Sequence, residues 1–385
     1  MYNYNNKGYY EVNHKTFANK LEAIVYANEV GWKGIKWNFN DDLWNKQQFT
    51  IEPTEDLLTL YKERAQQLRD EYDRIVVFVS GGADSTAVLQ SFINNNIRID
   101  DIFIFGAFSA EENVIGNLSN DDYGYFTRET ELLAKPLIKQ ALQKQPHINV
   151  IEWDWTDFIL SSFDDLDWIW KVGGRFSPNM RARSNFHKVY KKHQRLEENG
   201  TKIAFIFGVD KPRLMRDDSS IYLVFNDSLI TTGSSISNDI LEHKWEHDEF
   251  FFWSVNSPKI IIKQAHQIIN FIHQRKLVNT IPHISHDNNV SWHHSTYYGT
   301  INPIIYPEWN QNIWQIEKPT SPTYNEMERW FFASDHKSLA RWKGSIDEVS
   351  RIVGSGWLNK GEIYGGLTGN LSPLYKIADI PKVIS

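Results

Sequence analysis

Six consecutive residues, Ser80-Gly81-Gly82-Ala83-Asp84-Ser85, bring two hydroxyls, two glycines and a carboxylate together. Gly81 and Gly82 permit positive φ angles and close approach of a ligand to the backbone. If a helix starts here, its unpaired N–H groups and the positive end of its dipole face the same space. The product is a cradle for phosphate, with Ser80 and Ser85 as hydroxyl donors. Asp84 either holds a Mg²⁺ ion that neutralises the phosphates or serves as a helix cap. The plainer alternative for the whole string is a βα loop in which Asp84 and Ser85 do nothing but cap. Spacing alone shows anion binding and no particular reaction.

Such a cradle needs a buried strand before it and a helix after it. Ile75-Val76-Val77-Phe78-Val79 is a continuous β-branched and aromatic run, the pattern of a parallel strand buried on both faces. Val88, Leu89, Phe92 and Ile93 then give a helical apolar face that fades into Asn94-Asn95-Asn96. Upstream, Tyr61, Ala65, Leu68 and Tyr72 predict an amphipathic helix. The alternation continues with a strand at Ile102-Phe103-Ile104-Phe105, a helix over 129–143 and a strand at Val150-Ile151-Glu152-Trp153. A helix over 184–198 and a fourth strand at Ile203-Ala204-Phe205-Ile206-Phe207 follow, and 221–225 is the candidate fifth strand.

This order predicts an α/β protein with a doubly wound parallel sheet. Three regions follow: an N-terminal extension over 1–71, an α/β core over 72–227, and a largely helical C-terminal region over 228–385. In the last, Asn256-Ser257-Pro258 reads as a helix start, with Ile261, Ala265, Ile268 and Ile272 at helical spacing, and an amphipathic pattern resumes over 330–357.

Composition narrows the function. A net charge of −7 and a pI near 6.0 give no global field for a polyanion, which makes nucleic acid a secondary partner. The chain has no cysteine, which removes disulfides, thiolate zinc sites and cysteine nucleophiles. Its start lacks a signal-peptide pattern and no stretch approaches the roughly 18 apolar residues of a membrane span. A cytoplasmic protein without membrane association is expected. The 15 Trp, 17 Tyr and 22 Phe are expected mainly in the core. Gly356 and Gly361 have Walker A spacing, but Glu362 stands where the lysine belongs and no buried strand precedes them.

Ligands of parallel sheets sit beyond the carboxyl ends of the strands, so the segments after each strand are the next candidates. Phe105-Gly106-Ala107-Phe108 follows the second strand, as a nucleotide wall or an ordinary turn. Gly208-Val209-Asp210-Lys211-Pro212-Arg213 follows the fourth. There Lys211, Arg213 and Asp210 bring two cations and a carboxylate to one edge; under the family resemblance described below, the cations could bind an α-phosphate or a leaving pyrophosphate, and Asp210 could hold magnesium or an attacking amine. The alternative is a solvated loop with a local ion pair. Arg181, with Arg183 and Lys188, is a further candidate for phosphate or an exposed helix face. His283, His286, His293 and His294 read as a polar loop or substrate-contact surface, with metal binding the lesser alternative.

The string around Asp84 resembles the signature of the PP-loop ATP pyrophosphatase superfamily. Its fixed positions, Ser-Gly-Gly-x-Asp-Ser, are matched by Ser80, Gly81, Gly82, Asp84 and Ser85. The resemblance covers about 72–227 and implies a fold of the HUP, adenine nucleotide alpha hydrolase-like class. It also implies ATP and Mg²⁺ as cofactors, a loop that holds the β- and γ-phosphates, and adenine beside Phe105 and Gly106. Gly208 and Arg181 are carried as further nucleotide-binding candidates, and Asp84, Asp210, Lys211 and Arg213 as catalytic ones. The reaction implied is adenylation of an acceptor with release of AMP and pyrophosphate.

Tyr10-Glu11-Val12, the run 61–72, the 208–213 segment and Phe252-Trp253-Ser254 are also similar to phosphoadenosine phosphosulfate reductase-like PP-loop proteins of large bacteriophages. Reductases of that type act through a cysteine, and this chain has none. The same absence argues against tRNA thiolation, cysteine-zinc deazaguanine synthesis and a cysteine glutaminase. What the resemblance leaves is attack by an amine, ammonia or water on an adenylated small-molecule or nucleotide acceptor, giving an AMP-forming ligase. Base modification on a nucleic acid, and nucleotide binding without turnover, are the alternatives.

Overall fold

The amino-terminal strands β1 (Tyr9–Val12), β2 (Lys15–Phe17) and β3 (Lys36–Asn38) form a small antiparallel sheet in the order β2-β1-β3. The computed structural model describes residues 7–110, 129–164, 167–172, 174–195, 200–227, 246–285, 301–309, 328–358 and 366–380. Helix α1 (Lys20–Glu29) is capped by the Asn19 side chain, which accepts from the Leu21 and Glu22 amides. After the short α2 (Asp41–Trp44), α3 (Leu57–Glu71) starts at Asp56, whose carboxylate accepts from Thr59 N at 2.7 Å. The buried face of α3 carries Leu57, Leu60, Tyr61, Ala65 and Leu68, and also Arg64.

Strand β4 (Arg74–Phe78) opens the main sheet and leads into α4 (Ala83–Ile93). Next come β5 (Asp101–Gly106), a π-helical turn at Thr130–Ala134 running into α5 (Lys135–Lys144), β6 (Asn149–Asp154) and α6 (Thr156–Leu160). Helices α7 (Pro178–Arg183) and α8 (Phe186–Gln194) precede β7 (Ile203–Phe207). A second small sheet contains β8 (Arg213–Arg216) and β9 (Ser220–Val224), and β10 (Glu246–Phe250) returns to the main sheet. Helices α9 (Pro258–Gln274), α10 (Asn302–Ile305), α11 (Arg329–Ala333) and α12 (Lys337–Val353) follow, and β11 (Tyr375–Asp379) completes the second sheet in the order β11-β9-β8.

The main sheet has five parallel strands in the order β10-β7-β4-β5-β6. The protein is therefore α/β. The chain builds outward from β4 through β5 to β6, then crosses back to β7 on the other side of β4. Strand order thus reverses between β4 and β7, and this is where open α/β sheets leave a crevice at their carboxyl edge. Aromatic packing holds that centre: the Phe186 ring of α8 lies 4.8 Å from Phe78, 6.4 Å from Phe103 and 4.9 Å from Phe205. Among the described residues most aromatic side chains are buried, as with Trp37, Trp44, Trp155, Trp168, Trp253, Trp330 and Trp342.

One strand assignment is corrected. Residues 221–225 are not the fifth parallel strand; β9 runs antiparallel to β8 and β11 in the separate sheet. The fifth is β10, so the main sheet draws on chain beyond residue 227. Its sequence, Glu246-His247-Asp248-Glu249-Phe250, lacks an apolar pattern; it is an edge strand whose Asp248 and Glu249 find partners in distant segments. Asp248 is held by Lys7 at 2.6 Å and His187 at 3.3 Å. Glu249 is held by Arg64 at 2.7 Å and accepts from the Tyr72 hydroxyl at 2.6 Å.

The Arg64–Glu249 pair pins α3 to the sheet edge at side-chain exposures of 0% and 4%, so neither charge has water to fall back on. Removing one partner of such a pair strands the other, at a penalty of about 3–5 kcal/mol. Arg64→Ala is expected to lower unfolding free energy by about that amount in denaturant titration. Replacing both partners with leucine is expected to recover most of it, and a stability unchanged in Arg64→Ala would contradict this account.

Among the described residues no helix is long and apolar enough to cross a membrane.

Candidate functional site

The six-residue string joins β4 to α4 at the carboxyl edge of the sheet. Gly81 has φ +87°, a conformation that side chains disfavour, and a Cβ there would meet Ala134 N at 2.8 Å and Glu129 O at 2.9 Å. This glycine therefore serves the fold, letting the loop pass against the π-helical turn before α5. Gly82 differs from expectation. Its φ of −70° and ψ of 162° are open to any residue, and it is Gly82, not Asp84, that occupies the N-cap. No side chain caps the helix, and the first intrahelical bond runs from Thr86 N to Gly82 O at 3.0 Å. The amides of Ala83, Asp84 and Ser85 precede that bond and have no acceptor within the helix.

The serines close the loop on itself. Ser85 Oγ accepts from Ser80 N at 3.2 Å and donates to Gly82 O at 3.1 Å, and Ser80 Oγ accepts from Gly82 N at 3.3 Å. Ser85, expected as a donor to phosphate, spends its one proton inside the loop; Ser80 is exposed at the surface. Asp84 is in the first turn of α4, and its carboxylate leaves the backbone for the neighbouring strand loop.

That neighbour is the segment after β7. At Gly208 a Cβ would stand 2.8 Å from Asp84 C, 3.0 Å from Asp84 O and 3.0 Å from Ser85 N, so only glycine lets the two loops touch. Lys211 then reaches Asp84 with its ammonium, 2.7 Å from Oδ1 and 2.7 Å from Oδ2. The Lys211 amide donates to Asp210 Oδ1 at 2.7 Å, and Arg213 lies 3.7 Å from Asp210 Oδ2. Burial and the nearby Asp84 carboxylate raise the Asp210 carboxyl above its ordinary value, against the pull of Lys211 and Arg213. A solvated loop is overturned as the reading of 208–213, because Lys211 and Arg213 are buried, at 5% and 3% exposure.

A residue with no signal in the sequence completes the group. The Tyr306 hydroxyl donates to Asp84 Oδ1 across 222 positions of chain. It is placed from below: Tyr61 of α3 donates to the Ile305 carbonyl, and Gln264 of α9 donates to the Tyr61 hydroxyl at 2.7 Å. Burial and Asp84 push the Tyr306 phenol well above its ordinary value, so it stays a donor. No spacing rule connects Tyr306 to the loop, and only the packing of α3, α9 and α10 reveals it.

The other candidates divide. Phe105 is the penultimate residue of β5, its ring 5.9 Å from Phe78, and the carbonyl of Gly106, the last residue, accepts from Trp155 N at 3.0 Å. Arg181 packs its guanidinium over the Phe158 ring at 5.4 Å, while Arg183 packs over Phe105 at 5.3 Å. Helix α7 thus turns Arg183 rather than Arg181 toward the end of β5. Burial and the nearby Arg175 pull Arg183 down to about 10, with Glu328 opposing. His283 bonds Ser285 and faces Asp218 at 3.3 Å; His286, His293 and His294 lie outside the described residues.

The donor set can be matched to a cofactor. Three amides at the start of an eleven-residue helix, with a glycine cap and no side chain filling the cap position, suit a phosphate. Among the described residues no group of three or more His, Cys, Asp or Glu could hold a metal. A divalent ion would have Asp84 as its protein ligand and arrive on phosphate, the usual arrangement for Mg²⁺. No family model and no curated protein matches the chain.

Proposed function

We propose that this chain binds Mg²⁺·ATP through the 80–85 loop and transfers its adenylyl group to an acceptor, in the manner of PP-loop enzymes of the HUP class. The observation that carries this reading is the meeting of the 80–85 and 208–213 loops at the reversal of strand order, with the buried cations Lys211 and Arg213 beside the half-buried carboxylates of Asp84 and Asp210. Phosphate at the start of α4 would receive the amides of Ala83, Asp84 and Ser85. Gly82 needs no positive φ, and its missing side chain would leave room at the helix cap for close approach of a ligand. Mg²⁺ on Asp84 would neutralise charge on the phosphates. Lys211 and Arg213 would supply the positive charge that stabilises pyrophosphate as it leaves. Asp210, with its raised proton affinity, suits a group that accepts a proton from an attacking amine or water. Phe105 and Gly106 border the edge where the base would lie.

The test is ATP labelled at the α-phosphate, incubated with the protein, magnesium and a metabolite extract as the source of acceptors. AMP and pyrophosphate are the expected products, and both should vanish with Lys211→Ala. ADP as the loop-dependent product would overturn the reading, because γ-phosphoryl transfer places its cations and nucleophile around a different phosphorus.

A further inference from the structure

Resting on the nucleotide reading of the loop, we propose that Lys211 is an internal counter-ion of Asp84 that yields this carboxylate only to a divalent cation arriving on phosphate. The ammonium sits 2.7 Å from both carboxylate oxygens, so it covers the edge of the carboxylate that a metal would use. A Mg²⁺ ion bonds oxygen at about 2.0–2.1 Å, which places it inside the volume the ammonium fills. The two are also like charges in a site with little water: the Lys211 side chain is 7% exposed and that of Asp84 25%. They are mutually exclusive on this carboxylate.

The surroundings give the exchange its direction. Tyr306 donates to Oδ1 from a segment fixed by Tyr61 and Gln264, so Asp84 keeps its orientation when Lys211 leaves. The backbone of Lys211 is tied to Asp210 by its own amide, so the swing is confined to the side chain. Phosphate carried in with the metal is the new partner of the released ammonium. In this arrangement free metal is refused and metal bound to nucleotide is accepted, because only the latter brings an anion for Lys211.

The experiment is a Mn²⁺ titration of the full chain without nucleotide, read by loss of the free-ion paramagnetic resonance signal. Lys211→Met is expected to bind Mn²⁺ at least ~10-fold more tightly than the wild type, through removal of like charge. The gain should disappear in Lys211→Met combined with Asp84→Asn. Should Lys211→Met fail to fold, as judged by circular dichroism, Lys211→Gln retains a hydrogen-bond donor for Asp84 and carries the same expectation. Equal Mn²⁺ affinity in wild type and Lys211→Met overturns the proposal, as does a gain that survives Asp84→Asn. A parallel ATP titration separates the two readings. A Mn²⁺ gain without ATP binding upholds the exchange and sinks the nucleotide assignment, whereas ATP binding without the gain sinks the exchange alone.

Discussion

Gly208→Ala is expected to force the 80–85 and 208–213 loops apart and to lower the stability of the protein by about 1–3 kcal/mol, the usual range for overpacking a well-filled site. The added methyl would meet three atoms of the Asp84 and Ser85 backbone at 2.8–3.0 Å, and none of them belongs to a side chain that can turn away. Gly81→Ala should be worse. Its methyl meets the backbone of Ala134 and Glu129, and its φ of +87° adds the cost of a left-handed residue, about 1–2 kcal/mol. Gly344, in α12, is the control: nothing stands within 4 Å of its Cβ position, so alanine there should be neutral or stabilising by up to about 1 kcal/mol. Denaturant midpoints of the three variants give the ordering directly. A Gly208→Ala protein as stable as Gly344→Ala would mean that the two loops do not pack as described.

These two glycines also show how far the sequence can be read. The β4 run and the hydroxyl, glycine and carboxylate string were legible because local chemistry demanded them: an uninterrupted apolar strand, a turn, a helix start. The 208–213 loop was legible for the same reason, since position after a buried strand places it at the carboxyl edge. What escaped depended on distant partners. Strand β10 carries Asp248 and Glu249 where a sheet strand is expected to be apolar, and Lys7, His187, Arg64 and Tyr72 make that composition tenable. Arg64 itself falls on the buried face of α3, where charge would ordinarily count against burial. In contrast, 221–225 has the apolar content of a main-sheet strand but is satisfied by β8 and β11. Tyr306 has no local signature at all. Equally, one motif string cannot tell which glycine turns the chain and which leaves room: Gly81 does the first, and Gly82 is free of that duty.

That distinction supplies the most direct test of ATP binding by the loop. The φ and ψ of residue 82 are open to alanine, so Gly82→Ala should fold, with a stability cost of no more than about 1 kcal/mol for the poorer helix cap. A methyl at the helix cap nevertheless stands where phosphate must approach the amides of Ala83, Asp84 and Ser85. Losing two amide bonds to a charged phosphate removes about 3–6 kcal/mol, at about 1.5–3 kcal/mol for each bond. Since each 1.4 kcal/mol is about tenfold in affinity, the loss is on the order of 10²- to 10⁴-fold. The measurement is calorimetric titration of Mg²⁺·ATP into wild-type and Gly82→Ala protein under one buffer condition. The account predicts saturable binding by the wild type and none measurable by the folded variant; equal ATP affinity in the two proteins, or no binding by the wild type, would contradict it.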